Sequence, residues 1–159
     1  MSVLVVDTNV AVVANRRETH ADQICQLACI EELERVVTHG VVAVDATGAI
    51  LDEYRGHLSY FGQPGMGDAF FKHIFDHLYQ DRRVRRVPVT PSDDDRKGFE
   101  ELPENSFDRS DRVFLAVAVV SEAIVLNATD SDWDEHAGLM DELGVTVKQL
   151  CAQHARKGG

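Results

Sequence analysis

The feature that most constrains this chain is a series of short apolar runs, rich in β-branched residues, that each end in a polar side chain. Residues 3–6, 41–44 and 123–126 are such runs, and an acidic or amide side chain follows each of them directly. Short apolar runs of this kind are typical of strands that are buried on both faces of a parallel sheet. The sequence therefore predicts a covered sheet whose strands end in groups that can do chemistry.

The segments between these runs have helical spacing of apolar residues, which places helices between the strands. Predicted helices cover residues 19–38, 47–58, 69–79, 111–121 and 134–143. Two further strands are predicted at residues 84–89 and 145–147, with loops at the glycine-rich residues 62–67 and the acidic residues 92–106. Strands that alternate with helices predict a three-layer α/β/α sandwich with a mainly parallel central sheet, as one domain over residues 1–159.

The net charge of -11 argues against a protein that coats nucleic acid by general attraction. It fits either acids gathered around metal ions or an acidic solvated surface. No apolar run approaches the roughly 20 residues that a membrane span needs. The first ten residues also lack the features of a signal peptide. We therefore expect no membrane contact and a cytoplasmic location.

Three cysteines, Cys25, Cys29 and Cys151, fit a reducing compartment without a disulfide framework. We interpret them as small apolar fillers of the core. The alternative is a zinc site formed by these cysteines together with His154. It is less favoured because neither local pair has the C-x₂-C spacing of structural zinc sites.

Acidic residues collect where the predicted strands end. In open α/β sheets, functional sites form at the carboxyl ends of the strands, so acids placed there come close together. Burying several carboxylates is costly unless cations neutralise them, and oxygen-only ligands suit Mg²⁺ or Mn²⁺. The acids concerned are Asp7, Asp45, Asp130 and Asp132 after strands, and Asp111 and Glu53 on helices.

Each of these acids has an ordinary structural alternative. Helix capping is the alternative for Asp7, Asp45, Asp108 and Asp111. Glu53 could pair with His57 one helical turn later, and Asp130 and Asp132 could belong to a turn. The convergence of several acids at one sheet edge favours a metal centre over these separate explanations.

Four blocks of the sequence resemble, in the same order, the motifs of PIN-domain nucleases. The blocks are the apolar strand followed by Asp7-Thr8-Asn9, the segment 45–54 containing Glu53, the segment 110–118 beginning Ser110-Asp111, and the segment 127–133 containing Asp130 and Asp132. Together they extend over residues 3–133. Each block is a weak match alone, whereas all four in order form a fairly specific signal.

The resemblance implies a role for each matching residue. The metal-binding and catalytic quartet would be Asp7, Glu53, Asp111 and Asp130. Asp132 would be an auxiliary ligand, and Asn9 would orient Asp7 by hydrogen bonding. Asp45, Asp108 and Thr129 would support the site.

Two positions depart from the family pattern. The threonine usually found two positions before the fourth acid is Ala128 here, with Thr129 one place later, which puts the polar support of Asp130 in doubt. Trp133 replaces the usual phenylalanine, a change that we expect to have little effect.

The implied activity is hydrolysis of phosphodiester bonds of single-stranded or structured RNA by a Mg²⁺- or Mn²⁺-dependent endoribonuclease, in which metal-bound water is the nucleophile. Many small PIN proteins, the VapC toxins among them, are toxins of toxin–antitoxin pairs. An antitoxin protein and a second copy of the chain are therefore conceivable partners. The alternatives are a catalytically silent PIN-like scaffold for protein interaction and a nuclease for single-stranded or flap DNA.

The densest basic run of the chain consists of Arg82, Arg83, Arg85 and Arg86. These arginines could contact phosphates of a nucleic acid. The alternative is a solvated face that balances the neighbouring acids Asp76 and Asp81. The sequence leaves both explanations open.

Overall fold

The structure, a computed structural model, describes residues 2–17 and 19–151. Within them, five strands form one sheet: β1 (Val3–Val6), β2 (Val41–Asp45), β3 (Val84–Val87), β4 (Ile124–Asn127) and β5 (Val147–Gln149). All neighbouring strands are parallel, in the order β3-β2-β1-β4-β5. The predicted α/β class with a mainly parallel central sheet is therefore confirmed, and β1 lies at its centre.

Helices cover both faces of this sheet. They are α1 (Thr8–Ala14), α2 (Gln23–His39), α3 (Ala49–Arg55), α4 (Met66–Asp76), α5 (Arg112–Ser121), α6 (Asp132–Glu135) and α7 (Ala137–Leu143). Val5 and Val6 of β1 are both fully buried, and because successive strand residues point to opposite faces, neither face is open to solvent. No helix in the described part of the chain has both the length and the apolar character that crossing a membrane requires.

Helix α1 was not among the predicted helices, and the other helices differ from the prediction at most of their ends. The predicted helix 134–143 is two helices, α6 and α7, which meet at His136. Helix α4 begins at Met66, inside the predicted loop 62–67. A Cβ at Gly67 would lie only 2.0 Å from the carbonyl oxygen of Ala11. The glycine therefore serves close packing of α4 on α1 and not a loop.

The strand register brings the polar ends of three strands to one edge. Asp7 directly follows β1, and its N–H donates to the carbonyl oxygen of Leu126 on β4 at 3.1 Å. Asp45 is the last residue of β2, and Asn127 is the last residue of β4. The carboxyl edge of the sheet therefore gathers these side chains, as expected for an open α/β fold.

A disulfide bond joins Cys25 to Cys151, which are 126 positions apart in the sequence. The expectation of no disulfide is therefore wrong. The chain after β5 comes back beside the first turn of α2, a proximity that sequence spacing cannot reveal. Cys29 is a free, buried thiol, as expected of an apolar filler. His154, the fourth member of the alternative zinc site, lies outside the described residues.

Candidate metal centre

Three carboxylates meet at the carboxyl edge of the sheet. Asp7, Asp111 and Asp130 each place one oxygen within 4.8 Å of the other two. Asp7 follows β1 and is buried, Asp111 ends a short 3-10 turn before α5, and Asp130 lies in the loop after β4. Residues from three distant parts of the chain therefore form one acidic cluster, termed the Asp trio below.

The Asp trio is electrostatically crowded. Burial raises the pKa of Asp7 to about 6, and the charge of Asp130 contributes to the increase. Burial also raises the pKa of Asp111 to about 9, with further contributions from Asp7 and Asp130. Each negative charge disfavours the next, so Asp111 retains its proton at neutral pH. A cation among these oxygens would relieve this repulsion.

Asp7 is held by two hydrogen bonds. The indole Nε1–H of Trp133 donates to Asp7 Oδ2 at 2.6 Å, and the backbone N–H of Asn9 donates to Asp7 Oδ1 at 3.3 Å. Both bonds favour the ionised carboxylate and oppose the effect of burial on its pKa. Trp133 is thus a member of the site that the sequence analysis treated as a neutral replacement. The clue in the sequence was the indole N–H of tryptophan, a hydrogen-bond donor that phenylalanine lacks.

The side chain of Asn9 holds the loop that carries Asp130. Its Oδ1 accepts from the backbone N–H groups of Ala128 at 2.9 Å and Thr129 at 3.1 Å. Its Nδ2 donates to Asn127 Oδ1 at 2.9 Å. Asn9 therefore touches Asp7 through its backbone and the Asp130 loop through its carboxamide. Thr129 takes part through its backbone N–H.

Asn127 is a second site residue that the sequence analysis did not single out. It is fully buried, and its Nδ2 donates to the carbonyl oxygen of Asp130 at 2.8 Å and to Gln149 Oε1 on β5 at 2.7 Å. This network supplies polar support to the Asp130 loop although Ala128 has no hydroxyl. The clue in the sequence was an amide side chain directly after the apolar run 123–126.

Asp132 and Asp108 connect the segment that carries Asp130 with the segment that carries Asp111. Asp132 Oδ2 accepts from the backbone N–H of Asp108 at 3.0 Å, and Asp132 Oδ1 lies 3.1 Å from Nδ1 of His136. The N–H of Asp132 in turn donates to Asp130 Oδ1 at 2.9 Å. Burial raises the pKa of Asp132. Asp108 caps the 3-10 turn that ends at Asp111, so these two acids link the two outer segments of the site.

Asp45 and Glu53 occupy different positions from the trio. Asp45 is buried, and its carboxylate accepts from the backbone N–H groups of Ala49 at 2.8 Å and Ile50 at 2.7 Å. It therefore caps α3. Glu53 has a side chain 41% exposed, and its Oε1 lies 3.7 Å from Nε2 of His57. The structure does not bring Glu53 into the trio.

The arginine run lies along edge strand β3 and not beside the Asp trio. Arg82 and Arg83 precede the strand at the amino end of the sheet, and Arg83 donates to the carbonyl oxygen of Thr38 at 3.0 Å. Arg86 places its guanidinium 4.5 Å from the ring centre of Tyr79. Exposed charges on an edge strand also discourage pairing with other sheets. Phosphate binding by Arg82, Arg83, Arg85 and Arg86 stays a prediction.

The donor atoms of the trio fit a hard divalent cation. All three side chains offer carboxylate oxygens, with no sulfur or imidazole among them, which is the donor set that suits Mg²⁺ or Mn²⁺. Oδ2 of Asp7 accepts from Trp133, and its Oδ1 accepts a long bond from the backbone N–H of Asn9. The trio therefore retains oxygens that a cation could use.

Comparisons with protein-family models, with curated proteins and with solved structures find no match for this chain. The resemblance to PIN nucleases accordingly rests on the residues of the four sequence blocks.

Proposed function

We propose that this chain is a PIN-type nuclease that hydrolyses phosphodiester bonds of RNA with the help of Mg²⁺ or Mn²⁺ held by Asp7, Asp111 and Asp130. The single observation that carries the proposal is the meeting of these three carboxylates within 4.8 Å. The raised pKa values of Asp7 and Asp111 support it, because a cation relieves the repulsion that raises them.

When bound, a divalent cation would act as a Lewis acid. It would also lower the pKa of water, so that a nucleophile for the phosphodiester forms near neutral pH. The chain itself contributes position and charge. Asp7, Asp111 and Asp130 release protons and present ionised oxygens. Trp133 fixes the orientation of Asp7, and Asn127 fixes the backbone that carries Asp130. Such fixed charges need no reorganisation during the reaction.

RNA is the proposed substrate, and single-stranded or flap DNA is the alternative, because metal-assisted hydrolysis does not itself require a 2′-hydroxyl. An antitoxin partner and a homodimer belong to this proposal, and so does the cytoplasmic location that the sequence composition predicts. The disulfide between Cys25 and Cys151 weakens the argument for a cytoplasmic location, because disulfides are rare in reducing compartments.

A cleavage panel tests the proposal. Labelled RNA and DNA strands are incubated with the protein in Mg²⁺, Mn²⁺ or EDTA, and with the variants Asp7→Asn and Asp111→Asn. The matched control is Asp81→Asn, which removes an exposed acid from the turn before β3. We expect cleavage of RNA with either metal, none in EDTA, and at least a hundredfold loss in both site variants but not in the control.

Calorimetric titration with Mn²⁺ separates the nuclease from a silent scaffold. A nuclease binds the ion and cuts, and Asp7→Asn weakens both. A chain that binds no ion and cuts no strand would contradict the proposal. Cutting of DNA alone would keep the metal centre and change the substrate.

A further inference from the structure

An open cleft of about 550 Å³ lies beside the 3-10 turn that ends at Asp111. It is lined by Asp95, Arg96, Glu104, Asn105, Arg109 and Arg112. Its lining holds three arginines against two acids, and Asp94, which pairs with Arg96, balances the third arginine. The cleft is therefore a locally neutral, arginine-rich surface on a chain whose net charge is -11.

The cleft adjoins the Asp trio through the chain itself. Arg112 directly follows Asp111, and Arg109 precedes Asp111 by two positions within the same turn. The Cα atoms of both arginines are thus within roughly 7 Å of the Cα atom of Asp111. The turn that carries Asp111 into the trio therefore also carries two arginines of the cleft.

Arg112 is the structural centre of the cleft. It is buried, and its guanidinium donates to the carbonyl oxygens of Asp95 at 2.9 Å and Asn105 at 3.0 Å, and to Asn105 Oδ1 at 3.1 Å. Among the described residues, no carboxylate oxygen lies within 4.0 Å of it. Carbonyl dipoles satisfy its donors but do not cancel its charge, so an anion in the cleft would be favoured.

The other two arginines are available at the surface. The side chains of Arg96 and Arg109 are 74% and 73% exposed. Arg96 pairs with Asp94 and Glu104, and Arg109 pairs with Asp95. Exposed ion pairs of this kind contribute little to stability, so exchanging a carboxylate for a phosphate costs little. A guanidinium also matches the two oxygens of a phosphate with paired hydrogen bonds.

We propose that this cleft binds the phosphodiester backbone of a single nucleic-acid strand, next to the phosphate that is cut at the Asp trio. The proposal rests on the proposed function and adds the site that grips the substrate. On this proposal, Arg96 and Arg109 make the main phosphate contacts, and the arginines in and before β3 do not. The competing ligand is an acidic protein segment, which would present carboxylates in place of phosphates.

Strand binding in EDTA tests the proposal without cleavage. Fluorescein-labelled oligo-U and oligo-dT of about 15 nucleotides are titrated with wild-type protein, with the double variant Arg96→Gln/Arg109→Gln, and with the control Arg55→Gln/Lys148→Gln, which removes two exposed cations outside the cleft. Anisotropy is measured between about 50 and about 200 mM salt. We expect the cleft variant to lose at least tenfold in affinity and the control to bind like wild type.

The salt dependence gives a second measurement. Loss of two phosphate contacts should reduce the slope of log K against log salt by about 1.4 for a single strand. Both arginines are exposed, so circular dichroism and the melting temperature should not change. Wild-type protein that does not bind either strand at the lowest salt would overturn the proposal, as would a cleft variant that binds normally. Binding of labelled polyglutamate that is lost in the cleft variant, with no binding of either strand, would assign the cleft to an acidic protein segment.

The two proposals can fail separately. If the strand binds through Arg96 and Arg109 but no metal supports cutting, the nuclease proposal fails and the phosphate site stands. If wild-type protein cuts RNA and the cleft variant cuts with unchanged KM, the phosphate site fails and the nuclease stands.

Discussion

The indole nitrogen of Trp133 lies 2.6 Å from Oδ2 of Asp7, and this hydrogen bond joins two residues 126 positions apart. Phenylalanine, which the resemblance to PIN nucleases leads one to expect at this position, has no such donor. It favours the ionised form of Asp7 in a place where burial and Asp130 favour the protonated form. The tryptophan thus keeps Asp7 closer to the charge state that a cation needs.

The variant Trp133→Phe should shift the pH dependence of cleavage. Losing a hydrogen bond to a charged group removes about 1.5–3 kcal/mol, which corresponds to an increase of roughly 1–2 units in the pKa of Asp7. We expect several-fold slower cleavage at neutral pH, with activity recovering at higher pH. The control is Phe107→Leu, which alters the ring packed on Trp133 but leaves the hydrogen bond. A pH–rate profile identical to that of wild type would contradict the role of Trp133.

The stability of the metal-free protein should fall as pH rises. Asp7 and Asp111 have raised pKa values in the folded chain, about 6 and about 9, against an ordinary value of 3.8. The folded state therefore holds more protons than the unfolded state above about pH 4, and its stability decreases as these protons are lost. We expect a lower melting temperature in EDTA at pH 8 than at pH 5. Both Asp7 and Asp111 contribute to the difference.

Removing the titrating group or adding metal should flatten this pH dependence. Asp111→Asn has no proton to lose, and Mn²⁺ neutralises the trio at the higher pH. Asp81→Asn serves as the exposed control and should follow wild type. Melting curves that do not depend on pH in EDTA would show that the trio is less crowded than its geometry implies.

Glu53 and Asp130 should contribute unequally to metal binding. Asp130 lies within the trio, whereas Glu53 is partly exposed and faces His57. We expect Asp130→Asn to weaken Mn²⁺ binding by at least a hundredfold and Glu53→Gln to weaken it less, because ligands in direct contact carry most of the binding energy. Calorimetric titration of both variants checks the order, and an equal or larger loss for Glu53→Gln would require this side chain to move into the site with the ion.

Asp45→Ala should damage stability rather than cation binding. The carboxylate caps α3 through the N–H groups of Ala49 and Ile50, and losing such a cap costs about 1–2 kcal/mol. We expect a lower midpoint of urea unfolding and a Mn²⁺ affinity close to that of wild type. A large loss of affinity without loss of stability would place Asp45 among the ligands instead.

Reduction of the Cys25–Cys151 disulfide should destabilise the chain. The bond closes a loop across 126 positions, for which the loss of unfolded-state entropy amounts to about 4–5 kcal/mol in a chain-entropy estimate. We expect a clearly lower melting temperature in dithiothreitol and in Cys25→Ser. Cys29→Ala is the control: it keeps the disulfide, so its melting temperature should fall in dithiothreitol as that of wild type does, whereas that of Cys25→Ser should not respond to dithiothreitol. Thiol titration of the unfolded chain should give one free thiol before reduction and three after it.

The sequence by itself determined the alternation of buried strands and helices, the parallel sheet, and the placing of Asp7, Asp111 and Asp130 at its carboxyl edge. These properties follow from local patterns: apolar runs, helical spacing and acids at the ends of strands. The sequence did not determine every helix start, because Gly65 and Gly67, which predicted a loop, lie at the N-terminus of α4, where Gly67 packs on Ala11.

Only the tertiary structure decided which groups touch. It separated Glu53 from the trio, made Asp45 a cap, joined Trp133 to Asp7 and paired Cys25 with Cys151. These relations depend on strand order and on the packing of loops that follow different strands. Residues more than a hundred positions apart leave no local pattern of their contact, because a side chain's partner is set by where the backbone returns and not by its sequence neighbours.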